Sequence, residues 1–519
     1  VPSSVFVLML LLFLYLGLSL GISPQDDTFI SLRYADHLAN GHGLVFNTGE
    51  RVEGYTCFLW IVLLAAGMKI GIDPLTLSRF AGLGSGLLLL FIFWLFAGRM
   101  SRGGKWWPLL TVLHLSVAAP LVVESVQGME TLFFSLLVAL GAYIYLYHSG
   151  TPSGMMLASL VFALAYLARP EGGLFYFIAL VHLLFFKGKR RHLPFFLLPF
   201  LIVSGTHMTW RFLYYGRLLP NTFQAKVGWN MAQFSRGWHY LTAFAGEIGI
   251  WRLLAALCVL FQVKKEKRTY ILLLPFIVCS WLYVILIGGD FKFTFRFLVP
   301  TLGFFLLCFQ EGLRVIFHQI SRFAPVRLVT VLAVLVVLGS GVHFYHSFPR
   351  CWGFARARSK IWLQEKAIGL WLREYARPGE WLATGSVGVI PFYSKMPTVD
   401  MAGLTDAHIA RVPMEKQRTR LPAHEKGDGA YVLAREPAFI LFQNFTRTKK
   451  PVSMHGIGEY FSSPPGHGLP RSEEELRGLS GFRQAYSLHS VPLEDFYFTF
   501  FQKNKRSVIP PHKQGHWGK

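Results

Sequence analysis

Eleven apolar runs that read as membrane crossings occupy the chain between residues 5 and 346, and none follows. A bilayer's hydrocarbon core is about 30 Å thick and an α-helix rises about 1.5 Å per residue, so such runs predict a bundle that crosses a membrane repeatedly. The predicted spans are 5–22, 74–98, 108–123, 131–147, 155–168, 173–186, 193–213, 248–263, 269–287, 297–312 and 327–346. Segment 57–70 is apolar but short, and counting it as a full crossing would put Arg99–Lys105 outside, so it is read as a re-entrant or interfacial helix. Val5–Ile22 has no basic flank before it and no small-residue cleavage site after it, so it reads as a retained span. The expected fold is a polytopic α-helical membrane protein of about 11 transmembrane helices, residues 1–349, followed by a soluble α/β domain, residues 350–519.

Orientation follows from basic loops. Arg99, Arg102 and Lys105, then Lys187 to Arg191, then Lys264 to Arg268, then Arg314, Arg322 and Arg327 mark the cytoplasmic side. These loops account for much of the formal net charge of +23. With no nucleic-acid motif present, that charge does not call for nucleic acid. The five cysteines show no metal-ligand spacing.

The opposite side then receives 24–56, 124–130, 169–172, 214–247, 288–296 and everything after about 347. These segments carry the unusual polar residues. Ionisable groups at membrane depth are costly, so their convergence on one face marks a candidate functional site. Asp26-Asp27 opens a short amphipathic helix where the first apolar run stops. One reading is helix capping, since carboxylates favour a helix N-terminus. One Asp suffices for that, and two neighbouring carboxylates repel, so the second reading is a reactive or metal-binding pair. Glu53 follows in the same outer loop, and Glu130 lies in ESVQGMET between two spans.

In ARPEGG, Arg169 and Glu171 bracket Pro170, as a self-satisfying ion pair or as a holder for a charged lipid head group. YYGRLLPNTFQAKVG has an interfacial character and places Lys226 near head groups. GGDFKFTFRFLVP sets Asp290, Lys292 and Arg296 among aromatics, with Gly288-Gly289 permitting a tight bend. Arg suits a phosphate as a fork, Lys as a point charge.

Beyond residue 350, ARSKIWLQEKAIGLWLREYA reads as an amphipathic helix ended by Arg377-Pro378-Gly379. WLATG, PTVDMAG and PAFILF read as short buried strands, and GSVGVIPFYS as a Gly-rich connection opening a helix. Asp406 and His408 form either a turn or an acid/base or metal pair. The stretch from Lys503 reads as a frayed end.

The series DDTFISLRYADHLANGHGLVFNTGERVEGYT, VQGMET, ARPEG, YGRLLPNTFQAK, GGDFKFTFRFLVP and IPFYSKMPTVDMAGLTDAHIAR resembles membrane glycosyltransferases of the GT-C class. Within that class it is similar to the arabinofuranosyltransferases that add terminal β-(1→2) residues to cell-wall arabinan. The resemblance runs from about residue 24 to 440. It implies a polyprenyl-phosphate-linked sugar donor, a cell-envelope glycan or glycolipid acceptor, and the bacterial inner membrane. It also implies a periplasmic active site built from the first outer loop, with Asp26-Asp27 as its acidic motif, and a periplasmic C-terminal domain that helps bind acceptor.

The chemistry of such a donor needs a base for the acceptor hydroxyl and cations for the departing phosphate, and no nucleotide fold. Asp26 or Asp27 is the expected base of an inverting displacement. Arg296, Lys226 and Arg169 are the candidates for the phosphate. Arg33, Glu53, Glu130, Glu171, Asp290, Asp406 and His408 are candidates for substrate binding. A divalent cation, Mg²⁺ or Ca²⁺, is an option at Asp26 and Asp27. The competing function is a transporter or lipid-linked sugar flippase, which predicts broken helices and internal repeats; no repeat is evident.

Overall fold

A computed structural model describes residues 2–101, 104–226, 231–262, 267–290, 292, 294–323, 325–413, 425–443, 445–452 and 470–504. In chain order its helices are α1 (Pro2–Ser19), α2 (Asp26–Ala39), α3 (Phe58–Lys69), α4 (Pro74–Met100), α5 (Trp107–Ser116), α6 (Ala119–Glu124), α7 (Thr131–Tyr147), α8 (Pro152–Ala168) and α9 (Gly172–Phe185). There follow α10 (Leu193–Tyr215), α11 (Asn221–Lys226), α12 (Met231–Ile248), α13 (Ile250–Leu257), α14 (Lys267–Ile287), α15 (Val299–Ile320), α16 (Val326–Tyr375) and α17 (Val389–Ser394), with the short helices Gly429–Ala434, Arg471–Gly478 and Ser480–Ala485 later in the C-terminal domain.

The expected eleven spans are not met. Among the described residues five helices are long and apolar enough to cross a bilayer: α1, α4, Arg190–Tyr215 (which contains α10), α14 and α15. A sixth is gained if α12 and Ile250–Gln262, bent by 89°, count as one broken span. For 131–147, 155–168 and 173–186 the difference is one of length, whereas 108–123 is broken into α5 and α6 and 327–346 lies inside the fifty-residue α16. Thr131–Tyr147, Pro152–Ala168 and Gly172–Phe185 are apolar helices of 10–17 residues, and seventeen residues of helix reach only about 25 Å. At twelve residues, α3 reaches about 18 Å. The segment 214–247, expected on the outer side between two spans, carries the amphipathic helix α12, Met231–Ile248.

The bundle is centred on α15, buried from Val299 to Leu313. Two turns at its C-terminal-domain end decide where the polar side chains fall. Gly128, between α6 and α7, has φ +82° and sits against Thr28 and Ser78, where any side chain would be both strained and crowded. Gly288 and Gly289, after α14, have φ +86° and +65°, so this is a tight bend. Phe295 holds φ +53° without being glycine, a conformation that costs about 1–2 kcal/mol. Its ring lies against Tyr240 and Phe244, which fixes the strained residue and so the direction of Arg296 beside it.

The last predicted span and the amphipathic helix after residue 350 are parts of one helix, α16, fifty residues long with Pro349 inside it. It delivers the chain to a six-stranded mixed sheet ordered β2-β1-β3-β6-β4, with β5 on β6. The three predicted strands are β1 (Leu382–Thr384), β2 (Thr398–Asp400) and β3 (Phe439–Leu441), paired in parallel. The other strands, β4 (Arg447–Thr448), β5 (Tyr486–Leu493) and β6 (Phe496–Lys503), are antiparallel additions. The predicted frayed end beyond Lys503 lies outside the described residues from 505 onward.

Within this domain Glu473 is buried, with Oε1 accepting from the Gln443 N–H. Burial pushes its carboxyl from 4.5 up to about 8, against the pull of that N–H. The folded state therefore holds a proton that the unfolded chain releases, and stability is lost as pH rises from about 5 to about 8. Asp400, raised to about 6, acts in the same sense. Thermal melts of detergent-purified protein should fall over this range, and Glu473→Gln should flatten the fall by several degrees. An unchanged slope in that variant would refute the assignment.

Candidate active site

The two adjacent carboxylates at the start of α2 have different partners. Asp26 accepts hydrogen bonds from the backbone N–H groups of Gly388 (3.1 Å) and Val389 (2.8 Å), at the start of α17. A Cβ at Gly388 would run into the Asp26 carbonyl oxygen, so this junction requires glycine. Burial raises the Asp26 carboxyl above its usual range, against the pull of the Val389 N–H and of Arg358. Asp26 thus ties the first outer loop to the C-terminal domain.

Asp27 turns toward the membrane bundle instead. Its Oδ2 accepts from Lys292 Nζ at 2.8 Å and Arg296 Nη1 at 3.1 Å, and its side chain is 34% exposed. Arg296 is buried, and its Nε lies 2.5 Å from Asp290 Oδ2. Burial alone would lower the basicity of this guanidinium; Asp290, Asp27, Glu124 and Glu130 outweigh it and raise it. Arg296 is therefore a fixed cation.

Arg169 forms the adjoining centre. It reaches Glu171 at 3.0 Å and Glu130 at 3.3 Å. The self-satisfying pair expected from ARPEGG is present, with Glu130 as a third member. The guanidiniums of Arg169 and Arg296 lie 5.0 and 5.1 Å from the centroid of the same ring, Phe297, so the two charge clusters adjoin. Arg169, Glu171, Phe134, Tyr283 and Phe297 line a narrow crevice there. Of the predicted residues, Asp27, Asp290, Arg296, Glu130, Arg169 and Glu171 are thus brought together. Lys292, noted in its motif but not among the phosphate candidates, joins them. Its place in the same GGDFKFTFRF motif as Arg296 was the available signal.

The other predicted residues lie elsewhere. Arg33 donates to the carbonyls of Phe46, Pro391 and Met396, each at 2.7 Å, cementing the outer loop to the C-terminal domain. Glu53 is paired in a buried position with Arg211 at 3.0 Å. Asp406 accepts from the N–H groups of His408 and Ile409 and from the Tyr431 hydroxyl. His408 pairs with Asp428 at 2.8 Å and stacks on Tyr431. These contacts build a turn in the C-terminal domain. Lys226 ends α11, and its side chain lies outside the described residues.

The donor set does not fit a divalent cation between Asp26 and Asp27. Such ions take six or more oxygen ligands, whereas Asp26 is occupied by N–H donors and Asp27 by an ammonium and a guanidinium. No group of three or more His, Cys, Asp or Glu side chains arranged for a metal occurs among the described residues.

Comparison with solved structures decides the architecture. The chain superimposes on ArnT from Cupriavidus metallidurans bound to undecaprenyl phosphate with a TM-score of 0.61, covering 98% of this chain and 99% of that one at 13% identity. The fold is GT-C-like. It belongs to a multi-pass membrane protein with a soluble extramembrane domain. The archaeal oligosaccharyltransferase AglB from Archaeoglobus fulgidus, in complex with an inhibitory peptide and a dolichol-phosphate, gives a TM-score of 0.55 at 10% identity, over 98% of this chain and 75% of that one.

In sequence, the chain is 26% identical over 327 residues to the terminal beta-(1->2)-arabinofuranosyltransferase of Corynebacterium glutamicum, covering 54% of this chain and 47% of that protein. It is 28% identical over 243 residues to the enzyme of the same name from Mycobacterium tuberculosis, covering 44% and 38%. The chain thus spans less than half the length of these relatives. Residues 355–496 match a family described as "Domain of unknown function (DUF8728)".

Proposed function

We propose that this GT-C-like chain is an inverting membrane glycosyltransferase. It moves a sugar, arabinofuranose or a close relative, from a polyprenyl-phosphate donor to a cell-envelope glycan or glycolipid. The site lies on the periplasmic face of the bacterial inner membrane. The observation that carries this reading is the placement of Asp27 between Lys292 and Arg296, at the end of the bundle that meets the C-terminal domain.

A donor phosphate competes with Asp27 for those two cations. Once it holds them, the Asp27 carboxylate beside the reacting carbon loses these two ion pairs, and its proton affinity rises. The acceptor hydroxyl attacks the anomeric carbon as its proton passes to Asp27. The carbon–oxygen bond to phosphate breaks, and polyprenyl phosphate leaves with its charge held by Lys292 and Arg296. A single displacement of this kind inverts the anomeric centre. Arg169, already satisfied by Glu130 and Glu171, sets the field around Arg296 and flanks the crevice, and the C-terminal domain presents the acceptor.

Purified protein in liposomes, given a radiolabelled decaprenyl-phosphate arabinofuranose and a short arabinan acceptor, should release decaprenyl phosphate and label the acceptor. Movement of the lipid between leaflets without release would instead favour the flippase.

A further inference from the structure

Around Asp26 lies a group of polar side chains, four buried and one (Arg358) half-buried, that carry unused buried hydrogen-bonding atoms. Ser23, Gln25 and Gln127 are essentially inaccessible, and Glu365 is 5% exposed. Ser23 Oγ, Gln25 Nε2, both amide atoms of Gln127, Arg358 Nε and Nη2, and Glu365 Oε2 have no hydrogen-bond partner among the described residues. Buried polar groups are almost always paired, so a concentration of exceptions calls for an explanation.

The group is assembled from three parts of the chain. Gln25 N–H bonds to the Gln127 carbonyl at 3.4 Å, and Thr28 Oγ1 donates to the same carbonyl at 2.7 Å. The Ser359 hydroxyl bonds the Ile22 carbonyl, bringing α16 against this loop. Asp26 feels the charges of both Arg358 and Glu365, and Glu365 Oε1 is held by Arg447 at 3.2 Å. Asp26 is in turn the neighbour of Asp27.

The unused atoms are mixed in kind. Arg358 and Gln25 offer N–H groups, Glu365 an acceptor, Ser23 a hydroxyl that does either. Gln127 offers one donor and one acceptor whichever way its amide is turned. A charged ligand would meet one sign; a ring of hydroxyl groups, each both donor and acceptor, matches the mixture. The burial matches one enclosed ring better than a polymeric glycan, which needs an open groove.

We propose that Ser23, Gln25, Gln127, Arg358 and Glu365 form the pocket for the donor's single sugar ring and read its hydroxyls, beside the phosphate held by Lys292 and Arg296. This rests on the donor assignment above. The alternative is that ordered waters satisfy these atoms permanently.

The test measures binding, not turnover. Affinities of the full-length protein are measured for bare decaprenyl phosphate and for decaprenyl phosphates carrying arabinofuranose, ribofuranose, mannose or glucose. The same panel is run on Gln127→Leu and Arg358→Met, which lie on separate elements. Wild type should bind at least one sugar-loaded lipid about tenfold or more tighter than the bare lipid, a preference that a few net hydrogen bonds to the ring's hydroxyls supply. Both variants should lose that preference while keeping the wild-type affinity for bare decaprenyl phosphate, which also shows that they fold. A preference that survives in both, or is absent in wild type, overturns the pocket. Failure of wild type to bind any polyprenyl phosphate overturns the donor assignment itself.

Discussion

Asp27→Asn should lower kcat by about 10²–10⁴-fold, the usual contribution of a positioned base, while binding of the donor lipid tightens. The second half distinguishes this from a folding defect. In the wild type a phosphate must displace the Asp27 carboxylate from Lys292 and Arg296; in the Asn variant the two cations lack that counter-charge and are open to an anion. Asp26→Asn should behave otherwise, because its carboxylate holds Gly388 and Val389 and not a cation pair. There the expected result is a lower melting temperature from loosened docking of the C-terminal domain. Equal losses of kcat with unchanged donor affinity in both variants would remove the division of labour.

Arg296→Met should have the largest effect on stability. Arg296 compensates Asp290 and Asp27, with Glu124 nearby, and removing one partner of a buried charge pair costs about 3–5 kcal/mol. Donor binding should be lost with it. Stability and function separate in the double variant Arg296→Met/Asp290→Asn. It should recover most of the melting temperature, because the stranded carboxylate is gone, without recovering donor affinity. If it recovers both, Arg296 is a structural residue and the phosphate is held elsewhere.

The membrane architecture was legible because apolar runs are local, but the span count was not. Runs of fourteen to seventeen residues look like spans in sequence, yet as helices they fall short of a bilayer core unless tilted neighbours or thinning make up the difference. The composition change near 350 suggested a boundary, whereas α16 continues through it, with Pro349 inside the helix. The C-terminal strands β1 to β3 were readable as short apolar runs between turn residues. The β5–β6 hairpin was not, because β5 is a half-exposed strand of mixed polarity that contains Pro492, without the buried apolar run of β1 to β3.

At the site, the adjacency of Asp26 and Asp27 suggested one shared role. Successive helical residues point about 100° apart, which sends one carboxylate to the C-terminal domain and the other to the bundle. Lys292 pairs with a residue 265 positions away, a match no local pattern encodes. For the same reason Arg33, Asp406 and His408 carried the right residue types for a site and turned out to make domain contacts.

The most direct test of the central claim is a structure of the protein in lipid nanodiscs with decaprenyl phosphate bound. The account predicts phosphate oxygens within hydrogen-bond distance of Lys292 Nζ and Arg296 Nη1, with the Asp27 carboxylate released from both. A phosphate bound elsewhere, with the Asp27 ion pairs intact, would contradict it.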